Sequence, residues 1–194
     1  MIDECKFDSN TGCTATLCYD AKFPCSIRQK PRPSSIEFPW VGATVLYPGQ
    51  RQAPWEYYLN LAQMAATRSQ CLSRRVGAIL VKEGRIIATG YNGAPSGMRE
   101  CQTCPRKESG KELMDCHAIH AEENALLQCA LYGPSTIGAE LYCTLQPCYH
   151  CAKLIIQAKI KEVSYIDSYP DTRGLESLEE AKIPTFQMDR QHAR

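Results

Sequence analysis

Apolar residues recur at three- and four-residue steps from Pro54 to about Ser69, through Trp55, Tyr58, Leu59, Ala62, Ala65 and Ala66. That spacing predicts an amphipathic helix with one face on a sheet. Val76 to Val81 is instead an unbroken apolar run, suited to a strand buried on both faces. Lys82-Glu83-Gly84-Arg85 reads as a hairpin turn, and residues 86–92 return as a second strand. From Gly93 to His117 the pattern is lost, broken by Gly93, Pro95, Gly97, Pro105 and Gly110. A loop this long is usually functional or tied by a metal. Helical spacing resumes from Ala118 to Leu131 and ends at Tyr132-Gly133-Pro134. A strand over 140–145, a helix opened by Pro147 and running to about Ala158, and a strand over 162–167 then form a β-α-β unit. Such a unit predicts parallel strands joined by a right-handed crossover. A last helix over 175–181, an edge strand over 183–186 and a frayed tail from Asp189 follow. The order of elements predicts the α/β class: a three-layer α/β/α sandwich with a mixed sheet, over residues 54–194.

Residues 1–53 follow no such pattern. Cys5, Cys13, Cys18 and Cys25 sit in polar, turn-rich sequence, and prolines at 24, 31, 33, 39, 48 and 54 oppose helix and central strand. This part reads as a cysteine-rich N-terminal segment with a proline-rich linker over about 26–53. Its four cysteines either make a small metal knot or stand idle in an irregular arm. The 194 residues carry 22 Lys+Arg against 21 Asp+Glu, a formal net charge of +1. That balance argues against a broad nucleic-acid-binding surface. No apolar run approaches the roughly 20 residues needed to span a bilayer. The acidic start Met1-Ile2-Asp3-Glu4-Cys5 lacks the apolar core of a signal peptide. A cytoplasmic protein with no membrane partner is expected. In a reducing compartment, twelve cysteines point to metal ligation sooner than to disulfides.

The chemistry concentrates in His120-Ala121-Glu122 and Pro147-Cys148-Tyr149-His150-Cys151. Either fragment alone is a weak signal; together, each at a predicted helix start, they make one set. Zinc at a catalytic site takes three protein ligands and keeps a fourth position for water, whose pKa it lowers toward neutrality. His120, Cys148 and Cys151 fill the three. The two thiols are one turn apart, share a helix face, and lie at a positive helix end that favours thiolate. Glu122 is then left free of the metal, where a proton shuttle is wanted. The competing reading is a structural zinc knuckle with Glu122 as a solvated helix carboxylate. H-x-E followed by P-C-x-x-C is the pattern of the zinc deaminases. At these residues the chain resembles the cytidine/deoxycytidylate deaminase superfamily, and the resemblance covers about residues 54–187.

Gly90-Tyr91-Asn92-Gly93-Ala94-Pro95, His120-Ala121-Glu122-Glu123-Asn124-Ala125 and the run from Cys143 to Lys153 are similar to segments of the deoxycytidylate branch. The resemblance implies hydrolytic deamination of a cytosine deoxynucleotide, dCMP to dUMP plus ammonia, with Glu122 moving protons from water to N3 and to the leaving amine. It implies that Asn92 holds the substrate sugar and that Asn124 supports the substrate site. An amide suits a sugar hydroxyl because it both donates and accepts. The alternative at Asn92 is a left-handed turn before Gly93. The resemblance also implies a second, structural zinc. Cys71 and Cys101 match positions used in relatives, Cys104 and Cys116 would complete a closed four-thiolate set, and His117 is the substitute ligand. Reduced, buried thiols without metal are the alternative there. The phosphate would fall to Arg99, Arg106, Lys107, Lys111 or Arg173, among which nothing chooses. Homo-oligomers and dCTP or dTTP effectors are common in the family. Three further readings share parts of the pattern. They are a late-competence DNA-uptake protein, a tRNA adenosine deaminase (which needs a basic surface), and a non-enzymatic zinc scaffold. Cys129 and Cys143 read as small buried hydrophobes, and His150 as a solvated helix residue.

Overall fold

The computed structural model describes residues 51–104 and 116–188 in full and, before them, only the backbone of four short strands. The chain divides into two units, Met1–Ser34 and Ser35–Arg194. In the first, β1 (Phe7–Asp8) pairs antiparallel with β2 (Gly12–Cys13); in the second, β3 (Ser35–Glu37) pairs antiparallel with β4 (Thr44–Leu46). Cys5, Cys18, Cys25, the side chain of Cys13, most of the 26–53 linker, Arg106, Lys107, Lys111 and the tail from Asp189 lie outside the described residues.

The rest of the second unit is α1 (Pro54–Ala66), β5 (Gly77–Lys82), β6 (Arg85–Tyr91), α2 (Ala121–Tyr132), β7 (Glu140–Leu145), α3 (Tyr149–Gln157), β8 (Glu162–Asp167), α4 (Arg173–Glu180) and β9 (Thr185–Gln187). The strands form one mixed sheet in the order β6-β5-β7-β8-β9. β5 runs antiparallel to both β6 and β7, while β7, β8 and β9 are mutually parallel. The β5–β6 turn places Glu83 and Gly84 at φ 50° and 72°, the two-residue hairpin geometry expected of that sequence.

Alternation along the strands divides the interior in two. Ile79 and Val81 of β5, Tyr142 of β7 and Ile166 of β8 face Tyr58, Leu59 and Ala62 of α1. Ala78, Leu80, Leu141, Cys143 and Val163 face the other way, onto Ala121, Ala125 and Cys129 of α2 and Ala152 and Ile155 of α3. The period of two thus puts helices on both faces, and the three-layer α/β/α sandwich predicted above is what forms. No helix among the described residues is long and apolar enough to cross a membrane.

The helix starts differ from the sequence reading, with consequences for the site. α2 begins at Ala121 rather than Ala118, because Ile119 is drawn into an antiparallel bridge with Gly93 (Ile119 N to Gly93 O, 2.9 Å). α3 begins at Tyr149 rather than Pro147, because the Gln146 N–H donates to Asp167 O at 2.8 Å and holds the chain extended. Pro147 itself disfavours helical backbone at Gln146. The last helix and strand also shift, to Arg173–Glu180 and Thr185–Gln187.

Candidate active site

His120 and Cys148 hold equivalent places at the starts of α2 and α3. Each is the last extended residue before its helix, with φ −75°, ψ 159° at His120 and φ −73°, ψ 170° at Cys148. Neither side chain caps its own helix. They turn to each other instead: His120 Nδ1 lies 3.4 Å from Cys148 Sγ and 3.4 Å from Cys151 Sγ. Two glycines let the supporting backbones close in. A Cβ on Gly90 would run into the Ala121 carbonyl and the Ala125 amide, so β6 meets α2 backbone to backbone. A Cβ on Gly174 would likewise run into the Pro147 carbonyl, so α4 meets the turn before Cys148.

The donor set fits a tetrahedral zinc ion. Zn–N and Zn–S bonds of about 2.1 and 2.3 Å at tetrahedral angles separate nitrogen from sulfur by about 3.6 Å. All three donor atoms lie within 4.8 Å of one another. The Cys148 thiol is brought down to about 4, first by the hydrogen bond from Cys151 and then, against burial, by His120. Cys151 is pushed up in turn, first by that same bond to Cys148. One thiolate is therefore solvated by its neighbour's thiol, and a dication in their place would be met by two thiolates.

Glu122, in the first turn of α2, is 4% exposed. Burial pushes its carboxyl up to about 7, against the pull of the His120 charge. Its Oε2 lies 3.7 Å from Cys151 Sγ. Glu122 lines one pocket with His120, Cys148, Asn92, Arg74 and Tyr169. Asn92 is held from three sides: Oδ1 accepts from Val76 N–H (2.8 Å) and from the Ser69 hydroxyl (2.8 Å), and Nδ2 donates to Arg74 O (2.9 Å). Asn124 does not line this pocket; its Nδ2 donates to Tyr91 O at 2.9 Å and ties α2 to the end of β6.

Cys71, Cys101, Cys104, Cys116 and His117 gather around a second, adjoining pocket, and Cys71 and Cys116 border both. Cys101 Sγ is 3.6 Å from His117 Nε2. Burial first, and then Cys116, Cys71 and Cys104, push the Cys101 thiol up. Among the described residues, however, only His120, Cys148 and Cys151 bring three such donor atoms within 4.8 Å. The second group is assembled more loosely.

Of the cations named from sequence, Arg99 is exposed and borders neither pocket. Arg173 is bound to Asp171 (Nη2 to Oδ2, 2.7 Å) and lies over the Tyr149 ring at 5.3 Å. Sequence reasoning missed Arg74, Gln146 and Tyr169, which line the pocket. A signal existed for Arg74, which stands between Ser69-Gln70-Cys71 and Val76-Gly77-Ala78. His150 is exposed, 3.8 Å from Glu123. Cys129 and Cys143 are buried, and burial raises both thiols.

The family model for the cytidine and deoxycytidylate deaminase zinc-binding region matches residues 53–167. The deoxycytidylate deaminase of Schizosaccharomyces pombe is 46% identical over 136 residues, covering 66% of this chain and 41% of that protein. That of Mycobacterium phage D29 is 46% identical over 119 residues, covering 57% of this chain and 91% of the phage protein. The chain thus spans less than half of the first relative and nearly all of the second. Among solved structures, the dCMP deaminase of cyanophage S-TIM5, crystallised with dCMP and dUMP, is similar at 36% identity and a TM-score of 0.62, covering 69% of this chain and 95% of that one.

Proposed function

Because the chain belongs to the cytidine and deoxycytidylate deaminase family, we propose that it hydrolyses the 4-amino group of a cytosine deoxynucleotide, converting dCMP and water to dUMP and ammonia. The observation that carries this reading is the buried Glu122 carboxyl in one pocket with His120 and Cys148, with the Cys151 donor within 4.8 Å of theirs behind the pocket wall. Zinc held by His120, Cys148 and Cys151 would supply a water acidic enough to lose its proton near neutral pH. Glu122 is free of that set and titrates near neutrality. It accepts one proton of the attacking water and delivers it to N3 of the cytosine, then carries the remaining proton of the added hydroxyl to the departing amine as the C4 carbonyl forms. The second Nδ2 hydrogen of Asn92 is assigned to a sugar hydroxyl, and Asn124 supports the site by fixing α2 on β6. Arg74, the one Arg or Lys lining the pocket among the described residues, is the candidate for the phosphate.

Several finer points belong to the same reading. A second zinc would sit among Cys71, Cys101, Cys104 and Cys116, with His117 as the alternative ligand. The like-charge pressure on Cys101 supports it, since a dication would relieve it. The deaminase domain is taken as residues 54–194, after a segment of residues 1–53. The protein is read as a cytoplasmic homo-oligomer open to dCTP and dTTP as effectors. The exposed Leu131, Tyr132 and Ile137 support self-association. The test is loss of cytosine absorbance from dCMP, dCDP, dCTP and deoxycytidine assayed side by side. Fastest turnover of dCMP, abolished by chelation and restored by zinc, is expected. No turnover of any of the four by zinc-loaded protein would overturn the reading.

A further inference from the structure

Residues 168–172, between β8 and α4, form neither helix nor strand, yet they carry Tyr169 into the wall of the pocket. Tyr169 is buried, and its backbone groups in so irregular a stretch need partners from elsewhere. Gln146 supplies them. Its Oε1 accepts from Tyr169 N–H at 3.1 Å, and its Nε2 donates to Asp171 O at 3.2 Å. Its own backbone N–H donates to Asp167 O at 2.8 Å. Gln146 is 3% exposed and lines the pocket beside Leu145 and Cys148. One side chain therefore stitches the pocket wall to the turn that carries Cys148.

We infer that Gln146 is a positioning residue: it fixes Tyr169 as a preformed wall of the substrate pocket and so sets the affinity for the nucleotide. The inference rests on the reading that this pocket receives a cytosine nucleotide. None of the Gln146 bonds above reaches Glu122, His120 or Cys151. Gln146→Leu keeps the bulk but removes the hydrogen bonds to the Tyr169 N–H and the Asp171 carbonyl. Binding must then order the wall that the native chain holds ready. The loss falls on KM, because the group that moves protons stands on α2.

The test is a double-mutant cycle on dCMP deamination with Gln146→Leu, Tyr169→Ala and the pair, zinc content being measured on each. Each single change should raise KM about tenfold, the equivalent of one or two buried hydrogen bonds. Zinc should be retained and kcat should stay within about twofold. The pair should be no worse than Tyr169→Ala, because Gln146 acts through Tyr169. Additive losses, an unchanged KM in Gln146→Leu, or loss of zinc with kcat would each overturn the inference. Gln146→Glu, which keeps the acceptor for Tyr169 N–H, replaces Gln146→Leu should the latter not fold, and an intermediate KM is expected of it. Amide hydrogen exchange supplies a readout apart from turnover. Residues 167–172 should exchange faster in Gln146→Leu while β5 and β7 stay protected, and native protection at Tyr169 would overturn the positioning role. Wild-type protein inactive on dCMP would sink the functional reading instead, and exchange alone would then decide what Gln146 does.

Discussion

At Glu122 two forces oppose each other: burial favours the neutral acid, and the neighbouring imidazole favours the carboxylate. The balance near neutrality is what a residue that both takes and returns protons needs. Glu122→Gln keeps the shape and removes that capacity. Its kcat is expected to fall by about 10²–10⁴-fold with zinc content unchanged, measured by turnover and metal analysis on the same preparation. Cys148→Ser should behave differently, losing zinc and activity together, because its thiolate is one of three donors. Full zinc in that variant would mean that another thiol is the ligand. These residues were legible in sequence because H-x-E and C-x-x-C are local spacings that survive any fold. Arg74, Gln146 and Tyr169 were not, since each reaches the pocket from an irregular stretch and through hydrogen bonds to residues far along the chain.

Among the elements, the close seat of α2 on β6 sets where His120 and Glu122 stand. Gly90→Ala should cost about 1–3 kcal/mol of stability by overpacking and lower kcat as well, since the backbone that must yield begins at Ala121. Thermal melts and kinetics would check it; a stable, fully active variant would show that α2 can shift freely. The far end of the sheet offers a contrast. Lys161 Nζ lies 2.6 Å from Glu140 Oε1, with Lys161 52% and Glu140 20% exposed. Burial alone would raise the Glu140 carboxyl, but hydrogen bonds from Lys161 and Tyr142 hold it below its ordinary 4.5. A depressed carboxyl stabilises the fold above its unfolded pKa, and that contribution is lost as pH falls through the folded value. Lys161→Met should therefore be less stable than wild type by under about 1 kcal/mol at pH 7, solvent screening being heavy. The gap should close on acidification below Glu140's folded pKa. Denaturant melts at several pH values would show it; a gap that persists in acid would mean that packing, not charge, is at work. Strands β7 and β8 agree residue for residue with the sequence reading because each is a short buried segment opened by a half-buried glutamate, Glu140 or Glu162. The starts of α2 and α3 were displaced because the bonds that keep residues 119 and 146 extended are tertiary ones.

On the scale of the whole molecule the metal count separates the readings. Two zinc ions per chain are expected if the Cys71 group closes on a metal. Cys101→Ser should then remove one equivalent and lower Tm while leaving the His120 set loaded. A single zinc in freshly purified, unchelated protein would refute the second site. The layered architecture was legible as a whole because helical spacing gives way to short strand segments bounded by turn residues, in an order that only a layered sheet accommodates. The gathering of Cys71 with Cys101, Cys104 and Cys116 rests on how the long loop folds back, which periodicity does not encode. The pairing of β5 with β7, which sets Ala78 opposite Cys143, also bears on how the chain reaches its native state. The β5–β6 hairpin is a local contact and can form within microseconds. The β5–β7 ladder must first close the whole stretch between them, an entropic cost that delays it. His120 lies inside that stretch and Cys148 just beyond it, so an early, hairpin-only species does not yet hold the His120, Cys148 and Cys151 donors together. In refolding, zinc capture should rise in step with amide protection of β7 and lag behind that of β6, making metal uptake a clock for the closing of the sheet.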